Sequence, residues 1–385
     1  MSRIYPELAV KTVIFEPDRK YLVYGGAIWF EPGRAIKPGW LLIERSRIKE
    51  TGYGTEIPSE DAEVLDLGKL FIIPGMIDAH VHLGLKSSLN LIESLEQASR
   101  AGLAGVRDGG DREGRVLKDR KQIESEMILS AAGRAISRHG RYGAFLGRSV
   151  KKDTEIAGAV SELAGQGADH VKVLASGPVK LDKYGLVGPP QFETSFLEKI
   201  VSCAKDHGLK VMSHANGSEA VLRCIKADVD SVEHVFFMGR DCLRVLAEKE
   251  VVWIPTIEAF FSLKKKTGSK KQKEIIDRTV EDQIGQMIKA RELGVKMGLG
   301  TDAGSPGVKI GLSLRNEILW WLEAGFSGEE VLAAATAGNA KLMGKENDVG
   351  RLTPGRLAFL AGFPKGVSID KILTQVPLIV GRPRL

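Results

Sequence analysis

The sequence is poor in cysteine and in aromatic residues, and it contains no long apolar run. The three cysteines (Cys203, Cys224 and Cys242) form no CxxC pair, so they predict neither a disulfide framework nor a thiolate metal site. The first residues lack the apolar core of a signal segment, and no stretch is apolar enough to span a bilayer. We therefore expect a cytoplasmic protein with no membrane partner.

Charge is the next feature that narrows the possible partners. The formal net charge is +6 and the isoelectric point is about 9.0, which is compatible with nucleic-acid binding or with attraction of anionic substrates. No zinc finger, RNP-like aromatic motif or basic helix with interleaved aromatics supports nucleic-acid binding. The densest basic run, at 264–273, is typical of a solvated surface segment. We expect a small-molecule substrate, no nucleic acid, and a homo-oligomeric assembly.

The chain changes character twice. Residues 1–70 contain short apolar runs split by glycine and proline, and residues 349–385 return to this pattern, so both ends predict one small discontinuous β-sandwich domain. Between them, in 71–348, apolar strands alternate with segments of helical period. Eight strands are predicted, at 71–82, 105–108, 127–136, 170–175, 210–214, 231–234, 251–255 and 295–302.

Eight βα units over this length predict an α/β fold, a (β/α)₈ TIM barrel. An open, doubly wound parallel sheet is the alternative. Such sheets usually have fewer strands, and no GxGxxG follows the first strand to bind a nucleotide.

Histidines and one aspartate fall where the barrel strands end. His80 and His82 stand two residues apart on the first strand, so their side chains share a face. His214, His234 and Asp302 end the fifth, sixth and eighth strands. The carboxyl ends of barrel strands form the catalytic mouth, and imidazole and carboxylate ligands suit zinc and similar divalent cations. We interpret these residues as metal ligands rather than as core histidines.

Lys172 lies within the fourth strand and is the unusual member of this set. Beside cations its pKa falls, and a neutral lysine amine adds carbon dioxide to form a carbamate that can bridge two metals. A structural lysine paired with an acid is the alternative. A metal lowers the pKa of its bound water toward 7, which gives hydroxide at neutral pH. Asp302 then acts as the catalytic proton shuttle to the leaving group.

Over nearly its whole length the sequence resembles the amidohydrolase superfamily, and more narrowly its imidazolonepropionase-like and Xaa-Pro dipeptidase (prolidase)-like branch. The segments that carry the resemblance are 74–82, 105–110, 171–177, 213–217, 231–235, 298–304, 328–342 and 350–355.

The resemblance implies a set of metal ligands and a reaction. His80, His82 and Asp302 hold the first divalent metal, for which zinc is the expected ion. His214 and His234 hold the second, and carboxylated Lys172 bridges the two. Members with this set cleave dipeptides such as Xaa-Pro, or N-acyl amino acids, with a metal-bridging hydroxide.

The loop after the third strand is where the resemblance suggests substrate contacts. His139 matches a substrate-contacting histidine of the family, whereas the flanking Arg138, Arg141 and Tyr142 depart from the family pattern. Arginines bind carboxylates well, so we expect this loop to recognise a carboxylate-bearing amide; a solvated loop is the alternative. Tyr184 is also expected to line the pocket.

Other functions remain open at this point. A hydrolase of cyclic amides, lactones or organophosphate esters would use the same hydroxide. A mononuclear imidazolonepropionase or deaminase gives Lys172 no role, and a deaminase usually carries a glutamate shortly after the fifth-strand histidine, where Ala215, Asn216 and Gly217 stand here. A catalytically dead barrel would lose metal ligands, and this chain keeps the full set.

Overall fold

The computed structural model describes residues 10–54, 56, 61–85 and 91–384. Its strands, in chain order, are β1 (Lys11–Phe15), β2 (Lys20–Ile28), β3 (Lys37–Glu44), β4 (Arg47–Tyr53), β5 (Glu63–Pro74), β6 (Met76–Val81), β7 (Leu103–Asp108), β8 (Ile128–Ala131), β9 (Ala135–Arg138), β10 (Gly147–Val150), β11 (His170–Leu174), β12 (Lys210–Ala215), β13 (Ser231–His234), β14 (Val252–Ile254), β15 (Leu360–Pro364) and β16 (Ile379–Pro383).

The α-helices are α1 (Leu91–Arg100), α2 (Arg115–Lys118), α3 (Arg120–Glu124), α4 (Ile156–Gly165), α5 (Thr194–Asp206), α6 (Ser218–Lys226), α7 (Gly239–Glu248), α8 (Ile257–Ser262), α9 (Lys270–Glu292), α10 (Leu314–Glu323), α11 (Gly328–Ala333), α12 (Asn339–Met343) and α13 (Ile369–Leu373). A π-helical turn, Ala334–Gly338, joins α11 to α12. In the part of the chain that the structure describes, no helix is both long and apolar enough to cross a membrane.

Strands from both ends of the chain form one sheet, in the order β1-β16-β15-β5-β2-β3-β4. The amino-terminal β5 pairs antiparallel with the carboxy-terminal β15, so both chain ends contribute strands to one sheet. Its main core is apolar and includes Val23, Leu41, Ile43 and Ile72. Alternation along β2 and β3 places Val23, Leu41 and Ile43 on one face.

The central region forms the predicted barrel, and the sheet built from both chain ends is its accessory domain. Parallel strands form two arcs, β6-β7-β8 and β10-β9-β11-β12-β13-β14. On one side, Asp169 N–H donates to the Ala131 carbonyl at 2.9 Å and links the arcs. On the other, Trp253 N–H bonds to Lys296 and Ala79 N–H to Leu299. The chain around 296–303 therefore closes the ring between β14 and β6.

Three predicted strands differ in detail from the observed ones. The first is divided at Gly75: β5 stays paired with β15 up to Pro74, and only β6 enters the barrel. Pairing in the small-domain sheet thus continues to Pro74. The third is broken into β8 and β9. The eighth, predicted at 295–302, makes isolated bridges at Met297 and Ala303 rather than a regular strand.

The helices cover the barrel with apolar faces. In α5, Leu197, Ile200, Val201 and Ala204 are buried, which is the i, i+3, i+4, i+7 spacing of an amphipathic helix. The barrel strands β6 and β11 are buried at every position. A polar residue on these strands is therefore enclosed by protein, as His80 on β6 and Lys172 on β11 are.

Candidate metal centre

His80 and His82 project from β6 toward Asp302. The Oδ1 atom of Asp302 lies 3.6 Å from His80 Nε2 and 3.4 Å from His82 Nε2. One ligand atom from each of these three residues falls within 4.8 Å of the other two. His82 Nδ1 is 2.9 Å from the Gly110 carbonyl oxygen, which can only accept, so Nδ1 carries the proton and Nε2 is free to bind a cation.

The backbone around Asp302 requires glycine and strained geometry. A Cβ on Gly304, whose φ is +104°, would lie 2.2 Å from the His82 carbonyl oxygen. Asp302 itself has φ of 56°, and His234 and Thr256 have φ of 68° and 52°. Non-glycine residues in this region are uncommon and cluster at functional sites. Three of them surround the same cavity here.

The Asp302 carboxylate is suited to bind a cation. Its Oδ1 atom is buried and has no hydrogen-bond donor among the described residues. Burial raises the pKa of Asp302 to about 7, because desolvation penalises the charged form. A divalent cation would compensate this charge, so the donor set fits a metal.

A buried charge network fixes the orientation of His80. His80 Nδ1 lies 2.8 Å from Glu233 Oε2, while Arg107 Nη2 donates to Glu233 Oε1 at 2.9 Å. Ser231 Oγ donates to the same Glu233 oxygen at 2.5 Å. Burial lowers the pKa of His80 well below its usual value, so the ring is neutral, with its proton on Nδ1 and its Nε2 lone pair directed at Asp302 and Lys172.

Lys172 is buried beside His80. Its Nζ atom lies 3.4 Å from His80 Nε2, and the side chain is fully buried. No carboxylate of the described residues lies within 4.0 Å of Nζ, which disfavours the alternative of a structural ion pair. Burial lowers the pKa of Lys172 to about 8, and cations nearby would lower it further. The Lys172 amine therefore loses its proton more readily than the amine of an exposed lysine.

His214 and His234 complete the cluster. Their ring centroids are 4.6 Å apart, and those of His80 and His234 are 5.1 Å apart. His234 Nδ1 lies 2.6 Å from Thr256 Oγ1, whose own proton is donated to the Pro255 carbonyl. The hydroxyl must therefore accept from Nδ1, which leaves Nε2 as a lone pair. Burial lowers the pKa of His214 to about 3 and that of His234 well below its usual value.

The cluster opens into a cavity of about 380 Å³, near the lower end of the usual size of ligand sites. Tyr142 lies on its wall, with its ring centroid 5.5 Å from that of His214. The lining residues are His82, Leu85, Tyr142, Phe145, Leu146, Lys172, Leu174, Pro178, Val179, His214, Asn216, His234, Phe236, Thr256, Ala259, Phe260, Leu263, Asp302, Ser305 and Pro306. We call this the metal-side cavity.

The structure places the other predicted substrate contacts away from this cavity. Arg138 and Arg141 line a separate cavity of about 510 Å³, and the Arg138 guanidinium lies over the Phe196 ring at 5.3 Å. His139 is exposed outside the metal-side lining. Tyr184 packs edge-on against Phe237 and beneath Arg278. Of the predicted contacts, Tyr142 alone lines the metal-side cavity. After β9 ends at Arg138, the chain turns outward.

Sequence reasoning missed the residues that orient the ligands: Arg107, Glu233, Asn216 and Thr256. Arg107 and Glu233 did leave a signal, since each is a charged residue inside a predicted barrel strand. Such residues are rarely buried unless they are paired. Thr256 left no such signal in the sequence. It follows β14, and its side chain reaches His234 only because its backbone is left-handed.

Known proteins resemble this chain in both sequence and structure. The model of the amidohydrolase family matches residues 71–376. The chain is 27% identical over 369 residues to imidazolonepropionase of Pseudomonas aeruginosa, covering 84% of this chain and 86% of that protein. A crystal structure of a Xaa-Pro dipeptidase with bound methionine in the active site superposes with a TM-score of 0.80 at 26% identity, over 94% of this chain and 97% of that one.

A second structural neighbour supports the fold alone. The ochratoxinase of A. niger superposes with a TM-score of 0.77 at 21% identity, over 93% of this chain and 92% of its own. An uncharacterized protein of Mycobacterium bovis is 27% identical over 275 residues, covering 69% of this chain and 72% of that protein. The fold is thus shared with the structural neighbours.

Proposed function

This chain belongs to the amidohydrolase family, and from that premise we propose that it is a binuclear metal-dependent hydrolase of an amide bond. The observation that carries the proposal is the convergence of three neutral imidazoles, Lys172 and the unpartnered Asp302 Oδ1 on one cavity, with the buried His80 ring beside Lys172 and Asp302. Dipeptides such as Xaa-Pro and N-acyl amino acids, predicted from the sequence, contain this bond. The similar Xaa-Pro dipeptidase supports the same reaction class.

The residues divide into two ligand groups. His80, His82 and Asp302 would hold one divalent ion, and His214 and His234 the other. These nitrogen and oxygen donors suit zinc, with related divalent ions as alternatives. Bound there, the ions would supply Lewis acidity, which acidifies a water molecule and polarises the scissile carbonyl.

Lys172 is assigned the bridging position as a carbamate. The amine would attack carbon dioxide through its nitrogen lone pair and lose one proton, giving a carbamate with two oxygens and one negative charge. Its burial without an acidic partner disfavours the ammonium form. The carbamate would replace a desolvated cation with an anion between two cations, which is the electrostatically favoured arrangement.

Asp302 is assigned the proton transfers. The attacking water gives its oxygen to the carbonyl carbon, and its proton passes to an Asp302 oxygen. Asp302 then returns the proton to the leaving nitrogen as the C–N bond breaks. Its place at the mouth of the cavity, beside His80 and His82, puts the carboxyl group within reach of both the attacking water and the leaving nitrogen.

Metal content and the Lys172 carbamate are tested together. Protein loaded with zinc should contain two metal ions per chain by plasma mass spectrometry, and Lys172→Ala should contain fewer and lose turnover. Short carboxylic acids such as acetate should restore part of the activity of Lys172→Ala by occupying the bridging position. Mass spectrometry under native conditions should show one carbon dioxide adduct that is absent from the variant. Two metals bound equally well by the variant would contradict the bridging role.

A mononuclear hydrolase related to imidazolonepropionase is the second candidate, favoured by the similarity to that enzyme and by the compact group of His80, His82 and Asp302. It predicts one metal ion per chain and a Lys172→Ala variant that keeps its metal. The stoichiometry therefore separates the two candidates.

A further inference from the structure

The wall of the metal-side cavity is apolar. Leu146, Leu174, Phe236 and Phe260 are buried on it, and the Phe236 and Phe260 rings lie 4.9 Å apart. The lining is completed by further apolar residues: Leu85, Phe145, Pro178, Val179, Ala259, Leu263 and Pro306. Apart from the metal-ligand set, this surface favours a hydrocarbon or aromatic group.

The neutral polar groups on this wall are already engaged, with one exception. The Asn216 amide oxygen accepts from Phe236 N–H at 3.1 Å, Thr256 is bonded to His234 and to the Pro255 carbonyl, and Ser305 bonds to Asp302. The Tyr142 hydroxyl has no partner among the described residues. It is therefore the donor available to a substrate carbonyl.

Cations are scarce in the same lining. Within the ranges that the structure describes, Lys172 is the one basic side chain that reaches the metal-side cavity. The basic residues of the loop after β9, Arg138 and Arg141, line the separate cavity with Lys199 and Arg223. An ionised carboxylate placed on the apolar wall, away from the proposed metal ions, would lose its hydration without gaining a counter-ion from the described side chains, which is costly.

Resting on the proposed amide hydrolysis, we propose that the preferred substrate is an electrically neutral amide that carries an aromatic or branched apolar group and no free carboxylate. The apolar group lies against Leu174, Phe236 and Phe260. The Tyr142 hydroxyl donates a hydrogen bond to a substrate oxygen. Hydrolysis adds water across the C–N bond and releases a carboxylic acid and an amine.

A matched pair of substrates tests this preference. N-(4-phenylbutanoyl)pyrrolidine and N-(4-phenylbutanoyl)-L-proline share the scissile bond and the apolar group, and they differ by one carboxylate. With zinc-loaded protein, we expect kcat/KM to be at least about tenfold higher for the pyrrolidine amide, because about 1.4 kcal/mol of differential desolvation gives that factor. Equal or faster hydrolysis of the proline derivative would overturn the proposal while leaving amide hydrolysis intact.

Binding to metal-free protein provides a second measurement that is independent of turnover. Calorimetry should give at least about tenfold weaker binding for the proline derivative than for the pyrrolidine amide. If neither compound is cleaved, the proposed amide hydrolysis fails, and this binding ratio still decides the substrate class. Stronger binding of the anionic compound would count against an uncharged substrate.

Variants that add or remove a charge test which part of the molecule determines the preference for a neutral substrate. Leu263→Arg places a cation on the partly exposed rim and should shift the kcat/KM ratio toward the proline derivative by about tenfold or more. Leu293→Arg adds the same charge at an exposed position outside the cavity and should leave the ratio unchanged. Arg138→Ala combined with Arg141→Ala should also leave it unchanged. A selective loss of the proline derivative in that double variant would mean that the loop arginines do bind a substrate carboxylate.

Discussion

The barrel interior beneath the metal ligands and the main core of the small domain are both buried, but they are built from different chemistry. The barrel interior encloses Arg107, Ser231 and Glu233 in one hydrogen-bonded network. The small-domain core contains aliphatic residues such as Leu41 and Ile43. Buried charges seldom add stability relative to apolar packing. The comparison therefore indicates that the barrel network serves ligand orientation, whereas the small-domain core serves stability.

The largest effect on turnover is expected at the opening of the barrel, in Asp302→Asn. The amide keeps an oxygen for metal binding but no longer accepts and returns a proton. We expect kcat to fall by about 10²–10⁴-fold, with metal content by plasma mass spectrometry close to that of the unaltered protein. Near-normal turnover with full metal occupancy would reject Asp302 as the proton carrier.

An intermediate effect, on metal affinity and on stability, is expected for Glu233→Gln, which lies one layer deeper in the barrel. The substitution leaves the Arg107 guanidinium buried without its counter-charge and weakens the orientation of His80. Metal affinity should fall by about 10–100-fold, and the free energy of unfolding should decrease by about 3–5 kcal/mol. Both are measurable, by competition with a chelating dye and by denaturant unfolding.

A double variant separates orientation from stability at the same position. Glu233→Gln with Arg107→Met removes both buried charges, so most of the lost stability should return. Metal affinity should stay reduced, because His80 still lacks a carboxylate partner. If affinity returned together with stability, the network would be structural, and the contrast with the small domain would disappear.

The convergence of the candidate ligand side chains was predictable from sequence because the carboxyl ends of parallel barrel strands must meet, whereas their role as metal ligands stays a prediction. The strand positions of His80, Lys172, His214 and His234 therefore carried most of the information. The loop after β9 could not be predicted in this way. Whether Arg138 faces the metal or the outside depends on how the chain turns after the strand, and Gln191 fixes that turn by accepting from Arg138 N–H and donating to the Tyr142 carbonyl.

The boundary at Gly75 escaped prediction for a related reason. Residues 71–82 form one apolar run, so their pattern indicates a single strand. The assignment of Phe71 to the small domain depends on its pairing with Phe363, nearly three hundred residues later. Non-local pairing of this kind has no local signal, and it also explains why both chain ends are needed to complete the sheet.

The smallest effect on turnover, with a clear effect on stability, is expected in the small domain. Ile43→Ala removes a fully buried side chain from the apolar core and should lower the free energy of unfolding by about 2–5 kcal/mol. Its kcat and metal content at 25 °C should match those of the unaltered protein, since Ile43 touches no residue of the metal-side cavity lining. Val64→Ala, at an exposed position in the same sheet, serves as the control and should change stability by less than about 0.5 kcal/mol. A loss of metal affinity in Ile43→Ala as large as that in Glu233→Gln would show that the two cores do not have separate roles.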